Sequence, residues 1–228
     1  MNAMTTRRRF LTIAAAFAAT PLAASERTED WEGHSLGSAA RITLAGATPA
    51  QARRAFARVE HSLGTIERQF SLHVDSDLAR LNRDGRLAWP APEMLALFDL
   101  ADRVYRATGG AFDPSVQPLW RAIAEGGDRQ VARVALGWGG VRFDAAEIRL
   151  TRPDMALTFN GIAQGAAADR IAALLRAEGF ANVLTDMGEI VAAGRRPDGD
   201  PWRAAVALPD GTEISRLDLA DTALATSA

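Results

Sequence analysis

Met155-Ala156-Leu157-Thr158-Phe159-Asn160-Gly161-Ile162-Ala163-Gln164-Gly165, followed by the Ala-rich run Ala166 to Ala177, decides how this chain folds. The first half is short and apolar and reads as a buried strand. The second reads as a helix, with Asn160 as its N-cap and Gly179 as the C′ residue past its end. Four residues separate Gly161 from Gly165, so on a helix they share one face, and neither has a side chain to hold off a backbone or a ligand. A helix start adds unpaired N–H groups and the positive end of the macrodipole, which suits a phosphate. The same glycines would serve equally for close packing of a small-residue helix on a sheet.

Three more blocks lie around this stretch in a fixed order. They are Phe70-Ser71-Leu72-His73-Val74-Asp75-Ser76-Asp77-Leu78-Ala79-Arg80-Leu81-Asn82, Thr108-Gly109-Gly110-Ala111-Phe112-Asp113-Pro114-Ser115-Val116 and Asp186-Met187-Gly188-Glu189-Ile190. Together with Thr158 to Gly165 and Asp169, the four resemble the signature segments of the ApbE family, the FAD:protein FMN transferases. The wording Asn160-Gly161-Ile162-Ala163-Gln164-Gly165 is similar to the NosX-type branch, which is associated with nitrous-oxide respiration.

Composition points to a folded chain. Its 228 residues are 48% hydrophobic and 24% charged, enough for one sizeable core and one domain. The formal net charge is -2, and no basic cluster outside the N-terminal leader argues for nucleic acid. Cysteine is absent, which removes disulfides, thiolate metal sites, a Cys nucleophile and a lipobox. The three histidines, His34, His61 and His73, are not at zinc-ligand spacing.

The leader resembles a twin-arginine export signal. Arg7-Arg8-Arg9-Phe10-Leu11 precedes a short apolar region, Ile13 to Ala24, too short to span a membrane, with cleavage expected near Ala24 or Ser25. Residues 1–25 hold three Arg and no acid, so their removal lowers the formal charge by three, to -5. The expected compartment is the periplasm, reached through the Tat translocon.

Along the chain, Leu36 to Leu44 reads as a strand, and Thr48-Pro49 opens a helix whose buried stripe is Ala52, Ala55, Phe56, Val59, Leu63, Ile66 and Phe70. His61 falls off that stripe. Helices follow from Ser76, over Pro92 to Ala107 until Gly109-Gly110, and over Pro114 to Glu125. Past Gly137 the pattern turns strand-like: 141–143, 148–150, 156–159, 183–185, 190–193, 203–208, 214–219 and 222–226, with turns at Asp198-Gly199 and Asp210-Gly211. The expected fold is α+β, a mixed β-sheet with packed helices in a single domain over 26–228.

The resemblance implies Mg²⁺-dependent transfer of FMN from FAD to a Ser or Thr hydroxyl of an acceptor flavoprotein in a respiratory or redox system. It assigns Leu36, His73, Ala111, Phe112, Asp113, Thr158 and Gln164 to the flavin nucleotide and the Gly161 carbonyl to Mg²⁺. It singles out no catalytic side chain. Each residue also has an ordinary structural use: Asp113 before Pro114 suits a helix cap, Asp169-Arg170 a surface ion pair, and Trp120 and Trp138 packing.

The chain departs from the family pattern at Thr158, where an Asp is usual, at Gln164, where a Lys or Glu is usual, and at His73, where a Tyr often stacks on the flavin. The pattern also continues past Ala225-Thr226-Ser227-Ala228 into an Asp and Thr that complete the Mg²⁺ site, so the domain reads as C-terminally incomplete and weak in transfer. A non-catalytic FAD-binding accessory protein is the alternative.

Overall fold

The structure is a computed structural model that describes residues 12–15, 27–208 and 210–225. The arginines and the cleavage site of the expected leader lie outside the described residues. Two compact units emerge: one holds the residues up to His34, Ser38–Glu60 and Ala168 onward, the other Ser35–Gly37 with His61–Ala167.

The first unit carries two antiparallel arrays. One has the order β11 (Thr222–Leu224), β8 (Ile190–Ala193), β7 (Val183–Asp186), β3 (Ser38–Ala45), β2 (Thr28–Ser35); the other sets β9 (Trp202–Ala207) between β1 (Thr12–Ala15) and β10 (Glu213–Leu219). Leu184, Ile190, Ala192, Trp202, Ala204 and Leu219 form one buried cluster across strands of both arrays. The Trp202 indole N–H donates to the Ala193 carbonyl at 3.0 Å, so this large ring is buried without an unsatisfied polar atom. As expected, Asp210-Gly211 turns the β9–β10 hairpin, with Gly211 at φ +86°.

The expected strand 36–44 is corrected at its start. Leu36 and Gly37 form a turn with φ of 50° and 82°, the two positive values a tight hairpin needs, and β3 begins at Ser38. β2 precedes the turn; its charged, half-exposed residues hid it from apolar periodicity.

Two helices pass from one unit to the other. α1 (Pro49–Phe70) starts on a capping box: Thr48 Oγ1 accepts from the Gln51 N–H, and Gln51 Oε1 accepts from the Thr48 N–H. Its predicted stripe is buried, apart from half-buried Phe56, and His61 is exposed. α6 (Ala163–Ala177) ends in a Schellman turn, with Phe180 N–H on the Leu175 carbonyl and Gly179 N–H on that of Arg176.

The second unit holds α2 (Asp77–Asp84), capped by Ser76, α3 (Pro92–Ala107), α4 (Gln117–Glu125) and α5 (Arg129–Val134). A small sheet, in the order β4 (Arg86–Ala88), β6 (Glu147–Leu150), β5 (Val141–Phe143), completes it. Its core is aromatic. Phe98 lies 4.8 Å from Phe159, 5.4 Å from Phe143 and 5.8 Å from Trp138 between ring centroids, and Phe70 meets Phe159 edge-on at 6.0 Å. Trp138 is thus a core residue, as its structural reading predicts, and its indole N–H is satisfied by Asp102 at 3.0 Å. Trp120 is exposed instead.

The expected strand 156–159 belongs to no sheet, and the helix after it starts at Ala163 rather than Gly161. Asn160 therefore does not cap α6. Its N–H reaches the Thr158 hydroxyl at 3.3 Å, and the Phe159 carbonyl accepts from both Ile162 and Ala163, so residues 160–162 form a turn first. Gly161 sits in that turn, off the helix face it was expected to share with Gly165.

Candidate functional site

All eight residues assigned to the ligand fall in the second unit. The segment 155–159 is the axis of the site. Leu157 and Phe159 are buried at 0% and 1% exposure while Thr158 between them is half-buried, the alternation of an extended chain. In place of a neighbouring strand, the side-chain amide of Asn82 accepts from the Leu157 N–H at 2.7 Å and donates to its carbonyl at 2.8 Å. Buried backbone groups must be paired, and one side chain at the end of α2 does this for two of them.

Thr158 then ties the axis to the second loop. Its N–H donates to the Pro114 carbonyl at 2.8 Å, which sets Ala111-Phe112-Asp113 beside Thr158. Phe112 leans on Gly161, where an added Cβ would lie 3.2 Å from the Phe112 ring. Gly161 itself is exposed, and two residues beyond it the N-terminal turn of α6 begins, with Gln164 half-buried. The Ala163 N–H is already taken by the Phe159 carbonyl at 2.7 Å and that of Ala166 by the Ile162 carbonyl at 3.0 Å, so what this end of α6 offers an anion is chiefly the positive end of its dipole.

Asp113 is used structurally. Its Oδ1 accepts from the Ser115 N–H at 2.8 Å and the Ser115 hydroxyl at 2.7 Å, and its Oδ2 accepts from the Trp138 backbone N–H at 3.4 Å. Ser115 Oγ in turn accepts from the Gly137 N–H at 2.6 Å. This carboxylate caps the 3₁₀ turn at Pro114 and pins residues 137–138 to the loop.

Leu36 and His73 form a second pair of elements. The Leu36 N–H is held by the Glu67 carboxylate, which supports a non-glycine residue at positive φ. A Cβ on Gly37 would stand 3.7 Å from His73 Cδ2, and His73 is exposed, its N–H on Ser71 Oγ at 3.1 Å. The direct contacts join Gly161 to Phe112 and Thr158 to Pro114, the residue after Asp113, and set His73 against Gly37, the residue after Leu36. Sequence reading passed over Asn82 and Ser115 as working parts; the signal for Asn82 was its place as the last residue of the first quoted block.

Among the described residues no group of three or more His, Cys, Asp or Glu could hold a metal ion. Of the donors the resemblance assigns to Mg²⁺, the described residues hold only the neutral Gly161 carbonyl, which does not make a Mg²⁺ site by itself. The fourth block, Asp186 to Ile190, lies in the first unit as the β7–β8 turn. Burial pushes the Asp186 carboxyl above its ordinary range, against smaller opposing effects of the Gly188 N–H and the Arg41 charge.

With this geometry in view, comparison with known proteins gives consistent matches. A model described as the ApbE family matches residues 36–228. The FAD:protein FMN transferase of Klebsiella pneumoniae (strain 342) is 28% identical over 216 residues, covering 86% of this chain and 61% of its own. That of Salmonella typhimurium (strain LT2) is 27% identical over 212 residues, covering 83% and 60%. This chain thus spans about three fifths of the length of the curated relatives it matches. Among solved structures, the flavin transferase ApbE of Vibrio cholerae matches with a TM-score of 0.77 at 23% identity, over 87% of this chain and 70% of that one. The apo form of the Pseudomonas stutzeri flavinyl transferase ApbE matches at 0.73 with 27% identity, over 86% and 66%. The α+β fold is that of these proteins.

Proposed function

We propose, from the premise that this chain belongs to the ApbE family, that it binds FAD at the Phe112–Gly161 site and serves in the transfer of FMN from FAD to a Ser or Thr hydroxyl of another protein. The observation that carries this reading is the meeting of the Ala111–Pro114 loop with the Thr158–Gly161 turn just before α6. In the reaction, the acceptor oxygen attacks the FMN-side phosphorus, the bond from that phosphorus to the bridging oxygen breaks, AMP leaves, and the hydroxyl proton passes to solvent or a base.

This chain's own part is binding and orientation. The positive end of the α6 dipole favours the pyrophosphate, and bare Gly161 lets it approach the backbone. Thr158 and Gln164 offer neutral hydrogen-bonding groups, and Phe112 supplies an apolar wall. Mg²⁺, implied by the resemblance, would neutralise charge developing on phosphate oxygens; the Gly161 carbonyl is its one expected ligand here, and no step is assigned to it.

Finer parts of the reading are export by the twin-arginine route to the periplasm and service to an acceptor of a redox system such as nitrous-oxide respiration. A second reading, an accessory protein that binds FAD without transferring FMN, is consistent with the described residues, among which no group of three or more His, Cys, Asp or Glu could hold a metal ion. One experiment separates the two. The chain is incubated with FAD, Mg²⁺ and a purified acceptor domain that carries FMN on threonine in its mature form, and the acceptor mass is measured. Covalent FMN on the acceptor supports transfer; FAD binding without it supports the accessory reading; neither rejects both.

A further inference from the structure

We infer that Glu67 is the residue that positions the Leu36 turn and His73 for the flavin, an inference that rests on the FAD-binding reading above. Glu67 lies half-buried in the last turn of α1 and belongs, with Leu36, Gly37 and His73, to the second unit. An acid gains nothing from that place in a helix, because the C-terminal end of the macrodipole is negative and favours cations. Among the described residues its carboxylate has no ion pair, and its one hydrogen bond comes from the Leu36 N–H. The charge therefore serves a single backbone group of the turn.

Two features make this contact matter for a ligand. Leu36 stands at a φ of 50°, where a non-glycine residue is strained and stays only while its surroundings hold it. Charge-assisted hydrogen bonds are the stronger kind, and this one fixes the N–H of the strained residue itself, hence the direction of its side chain. The same helical turn also sets His73. The Glu67 carbonyl accepts from the Ser71 N–H at 3.1 Å, Ser71 Oγ accepts from the His73 N–H at 3.1 Å, and the Ser71 carbonyl accepts from the Ser76 hydroxyl at 2.6 Å. Ser71 and Ser76 are buried, so they anchor this loop while His73 stays exposed. Turn and imidazole meet at Gly37, where an added Cβ would lie 3.7 Å from His73 Cδ2. One residue thus governs two groups that the resemblance assigns to the flavin nucleotide, Leu36 through its carboxylate and His73 through its carbonyl. It acts through them, so its role is positioning.

The test uses the full chain, with FAD affinity read by flavin fluorescence and the Leu36 amide read by hydrogen exchange without ligand. Glu67→Gln keeps an oxygen that can accept from the Leu36 N–H, and Glu67→Ala removes it. Thermal melts check that both fold, and Glu67→Asp, whose shorter side chain withdraws the acceptor, stands in where Glu67→Ala does not. Glu67→Ala is expected to weaken FAD binding about tenfold and to open the Leu36 amide to exchange, while Glu67→Gln stays within about threefold of wild type. Leu36→Gly removes the side chain that Glu67 places, so adding Glu67→Ala to it should weaken binding little further, whereas a merely structural loss would add in full. Wild-type FAD affinity in Glu67→Ala, equal losses in Glu67→Gln and Glu67→Ala, or additive losses in the double variant overturn the inference. Failure of the wild-type chain to bind FAD sinks the binding reading, and the role with it, even where the Leu36 amide still depends on Glu67.

Discussion

The amide of Asn82 pairs with both backbone groups of Leu157, 75 residues away, at 2.7 and 2.8 Å, and so takes the place of a neighbouring strand. Asn82→Ala leaves the N–H and carbonyl of a fully buried residue unpaired, which costs about 2–4 kcal/mol. The expected result is a lower denaturation midpoint together with weaker FAD binding, because Thr158 and Gly161 hang on the same segment. A variant that loses stability yet binds FAD as tightly as wild type would show that the segment does not position the site.

A Cβ on Gly161 would stand 3.2 Å from the Phe112 ring, which must then give slightly to admit a side chain. Its φ is not in the left-handed region, so replacement does not strain the backbone there. Gly161→Val is expected to weaken FAD binding by about tenfold or more through intrusion where backbone must approach ligand, with little change in melting temperature. Coupling to Phe112→Ala in a double-mutant cycle checks whether the ring contact is the cause. Equal FAD affinity in wild type and Gly161→Val would reject the site.

Asp113 spends both oxygens on the chain itself. Asp113→Ala removes a cap and should lower stability by about 1–2 kcal/mol in chemical denaturation, with or without FAD present. If Asp113 served only the ligand, the apo protein would keep its full stability.

Asp186 makes stability depend on pH. Its folded pKa lies above the value of about 3.9 for an unfolded chain, so protonation favours the folded state. The contribution is fully present below about pH 3.9 and is lost as pH rises through the folded pKa. Asp186→Asn keeps an oxygen for the Gly188 N–H and has no charge to desolvate. It is expected to melt higher than wild type at pH 7, with the gap closing toward pH 4. A gap that is constant across this range would place the effect elsewhere.

Much of the architecture could be read from local chemistry. Thr48-Pro49, Ser76 and Pro92 start their helices where expected, and Gly179 stops α6, because caps and fixed φ values act within one turn of the chain. The residues of the site were legible only through the resemblance of four blocks, whose order a single motif could not have supplied.

What the sequence by itself determined was therefore the class of fold, the starts of the helices at Pro49, Asp77 and Pro92, and the company of residues around Gly161. The tertiary structure alone decided how that company is held. The apolar run at 155–159 has the composition of a strand, but its hydrogen-bond partner is a side chain on α2, and periodicity carries no information about a partner so distant in the chain. Likewise α6 begins at Ala163 because the Phe159 carbonyl takes up the first two N–H groups of the turn, and Phe159 is fixed by the rings of Phe70 and Phe98. Asp113 caps its own loop because Ser115 and Trp138 come to both of its oxygens, and Trp138 is held there by packing against Phe98 in the aromatic core.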